Sequence, residues 1–199
     1  PVLARAISLQ GYEEGRHAAV ISLLTRHYAI ETDPFGEPEV PKNPMWTFLR
    51  TGYGECLDSF FAFGLFETGR RAGYFPAGLT DIFDQIMQEE ARHILFLVNW
   101  AADLRARRAL PFRPAFDARR AWNIAAQAFD RVRGALAMKG AEKQDGFTMK
   151  THSELGDFSL RSFLELCLAE NARRLAPYDE RLLRPRLTPG AVRLLLKVL

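Results

Sequence analysis

Cysteine is scarce in this sequence: 199 residues contain two, Cys56 and Cys167. Two thiols far apart in the chain exclude a disulfide framework and a cysteine-built zinc site. Both are expected to be buried and reduced. No apolar run approaches the roughly 18 to 20 residues that a membrane span needs. The opening residues, PVLARAIS, lack the basic start and long apolar stretch of a signal peptide. Strand-like alternation of polar and apolar residues is absent. These absences leave one soluble domain over residues 1–199, expected in the cytoplasm. Its hydrophobic content of 48% is enough for a core and argues against wholesale disorder.

Lysine is also scarce: 5 of the 27 basic residues are Lys and the rest are Arg. Their distribution is uneven. Residues 1–100 carry a net charge of −5 and residues 101–199 a net charge of +8. A basic half can attract nucleic acid or an anionic surface. Here the arginines are scattered and no aromatic platform is interleaved with them, so a solvated helix surface is expected and nucleic acid is not favoured.

What the sequence does contain is helical periodicity, broken by clusters of Pro and Gly. Helix one is expected from about Val2 to Tyr28, followed by a Pro-rich loop, ETDPFGEPEVPKNP. Fully extended, that loop spans roughly 45–50 Å, enough for a parallel crossover along the bundle. Helix two is expected from about Trp46 to Arg71. Helix three should start at an N-cap at Thr80 or Asp81 and reach Arg108. The short connection between them predicts an antiparallel hairpin. Helix four should cover about Ala118 to Met138, with Trp122, Ala125, Phe129, Val132 and Leu136 forming one uninterrupted apolar face. A polar loop, helix five over about Phe158 to Leu175, and a short helix opening near Thr188-Pro189 complete the reading.

Two apolar stripes are interrupted by the same polar motif. Helix one reads EEGRH over residues 13–17 and helix three reads EEARH over residues 89–93. Each contains Glu-x-x-His, as Glu14/His17 and Glu90/His93. Residues three apart share a helix face. A carboxylate and an imidazole in a core stripe are costly unless paired or metal-bound. The spacing places a carboxylate oxygen and a ring nitrogen on one face, a donor set that suits iron or manganese. A helical bundle with two such motifs needs a further Glu from each of its other two helices. Glu55 on helix two is the expected contributor, because Ser59 and Ala62 beyond it leave room for a metal. Asp58 is a substitute and Glu67 the rival. The aromatic run Phe60, Phe61, Phe63 and Phe66 reads as packing rather than a substrate box.

The order Glu14-x-x-His17, Glu55, Glu90-x-x-His93 resembles the second to fourth helices of ferritin-like di-iron carboxylate proteins, the superfamily of rubrerythrins and bacterioferritins. The resemblance covers residues 1–108, and residues 109–199 would be additional C-terminal helices. It implies an all-α, ferritin-like helical bundle holding two iron ions, or an iron/manganese pair, on Glu14, His17, Glu55, Glu90 and His93. It also implies a first-helix Glu about 30 residues before Glu14, upstream of Pro1. Glu165 and Glu170 on helix five are the alternatives within the chain. The implied activity is a di-iron oxidase, oxygenase or peroxidase acting on dioxygen or peroxide, with a small-molecule substrate or redox partner and room for a homodimer. Two other readings stand beside it. One is iron storage or detoxification without an organic substrate. The other is a non-enzymatic interaction module with a degenerate metal site. No Cys pair supports a built-in rubredoxin-like relay.

Overall fold

The computed structural model describes residues 2–32, 40–141 and 159–199, without the side chains of 135–141. Among the described residues the chain is all-helical and has no strand. Its elements are α1 (Val2–His27), α2 (Pro44–Arg71), α3 (Ala77–Ala106), a 3-10 turn (Leu110–Phe112), α4 (Arg113–Ala141), α5 (Leu160–Leu175) and α6 (Leu187–Leu195). Among the described residues no helix is long and apolar enough to cross a membrane. The chain divides into two units, residues 1–44 and 45–199.

The first unit is α1 and the start of the loop after it. Arg26 and His27 occupy its last turn, where cations favour the negative end of the helix dipole. The helix closes with Ile30 N–H donating to Thr25 O (2.8 Å) and Ala29 N–H to Arg26 O (3.3 Å). This is the Schellman pattern, and it puts Ala29 at φ 50°, a left-handed position usually taken by Gly. Residues 33–39, the middle of the expected crossover, lie outside the described residues.

In the second unit, α2 and α3 form the expected hairpin. Gly73 (φ 65°) closes α2 with the same two-bond pattern, Tyr74 N–H to Gly69 O and Gly73 N–H to Arg70 O. Here the left-handed residue is the one without a Cβ penalty. Helix α3 begins at Ala77, a turn before the expected cap. Pro76 is extended (φ −54°, ψ 144°) and its carbonyl accepts from both Leu79 and Thr80 N–H. Thr80 Oγ1 donates to that carbonyl instead of capping the helix.

Among the described residues, three apolar clusters run along this unit. Trp46, Leu49 and Tyr53 of α2 meet Leu97 and Ala101 of α3 and Phe116 of α4. Phe63 packs with Ala91, Ile94 and Leu95 of α3 and Leu175 of α5. Phe60 packs with Leu164 and Cys167 of α5 and Val192 of α6. The start of α2 pairs with the end of α3, as an antiparallel hairpin requires. Helix α4 covers one end of the hairpin, and α5 with α6 covers the other. Phe60, Phe63 and Phe66 are all buried, so the aromatic run is packing. At Gly64, α2 approaches α5 so closely that an added Cβ would stand 3.1 Å from Cys167 Cα and 3.2 Å from its N. Polar ties fix the C-terminal segment to α3: Tyr178 Oη donates to Gln88 O (3.0 Å), and Asn99 and Leu183 exchange two bonds of 3.0 Å each.

Helix α4 departs from expectation in two ways. It starts at Arg113, because Pro114 falls in the first turn, where a missing N–H costs nothing. Its uninterrupted apolar face also points outward: Trp122, Phe129 and Val132 are 74%, 64% and 58% exposed. The inward face carries Phe116, Ile124, Gln127 and Arg131 instead. Arg131 makes this possible by reaching Asp58 of α2 through two bonds of 2.9 and 2.6 Å. A polar side chain with a specific partner took the place that periodicity assigned to Phe and Trp.

Candidate metal-ligand residues

Helix α1 brings the first motif together. Glu14 Oε2 lies 3.7 Å from His17 Nδ1, the geometry of a pair one turn apart. The carboxylate and the ring nitrogen therefore present adjacent donor atoms on one face. This pair belongs to the first unit, and Glu55, Glu90 and His93 belong to the second.

On α3, His93 is buried and Glu90 is partly buried. Between Phe83 and Leu104 the stripe runs through Ile86, Glu90, His93 and Leu97 as expected, with Ile86 and Leu97 in the apolar interior. Glu89 is more deeply buried than Glu90, and its Oε1 accepts from Gln85 at 3.3 Å. It stands four residues before His93, also a same-face spacing. Both motifs begin with Glu-Glu, so the signal for Glu89 was in the sequence, but the three-residue spacing drew attention to Glu90 alone.

Glu55 is half-buried on α2. It lines a cleft of about 440 Å³ with Thr47, Arg50, Thr51, Asp58, Gln127 and Arg131. The cleft lies between α2 and α4, and its far wall carries the Arg131 that binds Asp58. Asp58 is therefore held by a guanidinium and is not open to a metal. Among the described residues, Glu55, Glu90 and His93 do not form a group of three with ligand atoms converging within 4.8 Å.

The other carboxylates considered from sequence are engaged by arginine. Glu67 accepts from Arg70 (2.7 Å to each oxygen) and from Arg71 (2.7 Å). Glu170 accepts from Arg173 at 2.7 to 3.0 Å. Glu165 is exposed and pairs with Arg161 at 3.5 Å. Charge-assisted pairs of this kind satisfy a carboxylate without a metal ion.

The Arg70 hydrogen bonds, with help from Arg71, hold the Glu67 carboxyl down at about 2 against desolvation. Its free value is 4.5, so the stabilisation is complete above pH 4.5 and is lost as pH falls through 4.5 towards 2. Denaturation at pH 5 and at about pH 2.5 should show wild type losing stability relative to Glu67→Gln, by on the order of 2 kcal/mol given the exposed guanidinium groups. A constant difference between the two proteins would refute this.

Both cysteines are free, Cys167 buried and Cys56 only partly so. Burial, with Glu55 adding to it, pushes the Cys56 thiol up to about 12. Burial also raises Cys167 to about 11. Both thiols are therefore protonated at neutral pH and are poor nucleophiles. The donor set is thus oxygen and imidazole nitrogen. No family model, curated protein or solved structure matches the chain.

Proposed function

We propose that this chain is a ferritin-like metal-binding protein whose two Glu-x-x-His motifs hold a di-iron or iron/manganese centre serving an oxidoreductase. One observation carries the reading: the motif occurs on both α1 and α3, and on α1 its donor atoms stand 3.7 Å apart. Glu14, His17, Glu90 and His93 form the proposed set, completed by Glu55 from α2. Such N/O donors select hard or borderline metals over those that prefer sulfur, and the protonated thiols leave the choice there. When bound, the centre would supply one-electron chemistry and activation of dioxygen or peroxide. The carboxylates would neutralise the cations, and each His would fix a nitrogen one turn from its Glu. The partners in this reading are a small-molecule substrate or redox partner and a second copy of the chain. Its compartment is the cytoplasm, where two thiols stay reduced.

The reading predicts that protein loaded anaerobically with Fe(II) retains between one and two metals per chain by elemental analysis. Retention far below one per chain would overturn it. Absorbance after exposure to oxygen, with and without reductants, separates turnover from storage. A non-enzymatic module is the second reading. It is favoured by the arginine pairs on Glu165 and Glu170, which leave neither available as a sixth ligand.

A further inference from the structure

A second cleft, of about 420 Å³, opens where α5 meets α6 and the segment between them. That size is within the ordinary range of small-molecule sites. Leu175, Ala172, Ala176, Pro185 and Pro189 give it an apolar floor, and Asn171, Arg184, Arg186 and Arg193 supply its polar groups. Among the described residues no Asp or Glu lines it.

The arginines differ in what they do. Arg184 is fixed by the carbonyls that end α5, donating to Leu175 O (2.7 Å), Tyr178 O (2.8 Å) and Asp179 O (3.2 Å). Its charge is held in place by neutral acceptors. The side chain of Asp179, whose carbonyl Arg184 binds, is paired with Arg181 at 2.6 Å. The guanidinium groups of Arg186 and Arg193 make no hydrogen bond or ion pair among the described residues. Asn171 is only 9% exposed and borders the cleft. Its carboxamide has two N–H donors to offer an anion. The first turn of α6 borders the cleft and adds the partial positive charge of a helix N-terminus.

We propose that this cleft binds a small organic oxyanion, a phosphate monoester or carboxylate, with Arg186 and Arg193 clamping the anion and Asn171 donating to it. Guanidinium forks match both anions in planar, two-point geometry. The apolar floor accepts the uncharged part of the molecule. The site is independent of the proposed metal centre and shares no residue with it.

Calorimetric titration at low salt with phenyl phosphate, benzoate and inorganic phosphate tests this. Saturable binding of phenyl phosphate or benzoate is expected, tighter than that of inorganic phosphate. The double variant Arg186→Ala/Arg193→Ala should weaken it by about tenfold or more, the equivalent of at least one charge-assisted bond. Both residues are exposed, so circular dichroism should show the variant folded. Asn171→Ala should weaken binding severalfold. No saturable heat with either organic anion up to about 10 mM would overturn the proposal. So would unchanged affinity in the double variant, or inorganic phosphate binding as tightly as both organic anions.

Discussion

Arg174→Ala should destabilise the second unit by about 2–5 kcal/mol, the range for truncating a large, fully buried side chain and leaving a cavity. Arg174 is 1% exposed, the largest fully buried side chain among the described residues. Its Nη2 donates to Asp84 Oδ1 at 2.7 Å and its Nη1 to Asp84 O at 3.2 Å. Its guanidinium lies 5.4 Å from the Phe63 ring centre and 5.7 Å from that of Phe66. One side chain thus ties α5 to α3 and covers the aromatic run of α2. Glu170 Oε2 stands 3.8 Å from its buried Nε, too far for a hydrogen bond, so Asp84 carries the pairing. Half of the Asp84 side chain is exposed and can rehydrate, whereas the space over Phe63 and Phe66 cannot fill with water without loss. Arg174→Met keeps the stem over the rings and removes the charge. It should cost markedly less than the Ala variant if packing dominates. Urea denaturation of the three proteins measures both differences. A loss below about 1 kcal/mol for Arg174→Ala would refute the assignment of this side chain as a cross-helix tie.

This residue shows where sequence reading stops. The hairpin and the buried stripe of α5 at Leu164, Cys167, Asn171 and Leu175 follow from apolar periodicity, which is local and additive. A buried arginine is not signalled by periodicity, because its burial depends on Asp84, some ninety positions away. The outward face of α4 failed for the same reason. Periodicity puts Trp122 and Phe129 on one uninterrupted apolar face, but Arg131 holds the inward place through Asp58. Among the candidate ligands, Glu14 and His17 were legible because residues one turn apart must share a face. Glu55 stands out in sequence because the small Ser59 and Ala62 beyond it leave room, and small neighbours on α2 do not say which groups of α4 line that space. In the structure Gln127 and Arg131 line it. Glu67 and Glu170 looked equivalent to a ligand in sequence, and only their arginine neighbours distinguish them.

His17→Ala and His93→Ala should each reduce Fe(II) affinity by more than 100-fold. Even a partner that merely orients a ligand is worth about 10- to 100-fold, and a direct ligand exceeds that. The pattern of loss carries more information than its size. If the two motifs serve one centre, either substitution removes a ligand that both ions depend on, and each variant alone abolishes retention of metal. If each motif holds its own ion, each variant halves the stoichiometry and the double variant abolishes it. If neither motif binds metal, both variants retain whatever wild type retains, and the ligand assignment is wrong. Glu89→Gln is the informative companion. It keeps the acceptor for Gln85 while removing a buried carboxylate four residues from His93. Unchanged affinity would confirm Glu90 as the carboxylate of the α3 motif, and a comparable loss would move that role to Glu89. Equilibrium dialysis with elemental detection reads all five proteins: wild type, the two single His variants, their double variant and Glu89→Gln. Circular dichroism separates loss of metal from loss of fold, because removing one imidazole leaves the apolar packing of Ile94 and Leu97 around it in place.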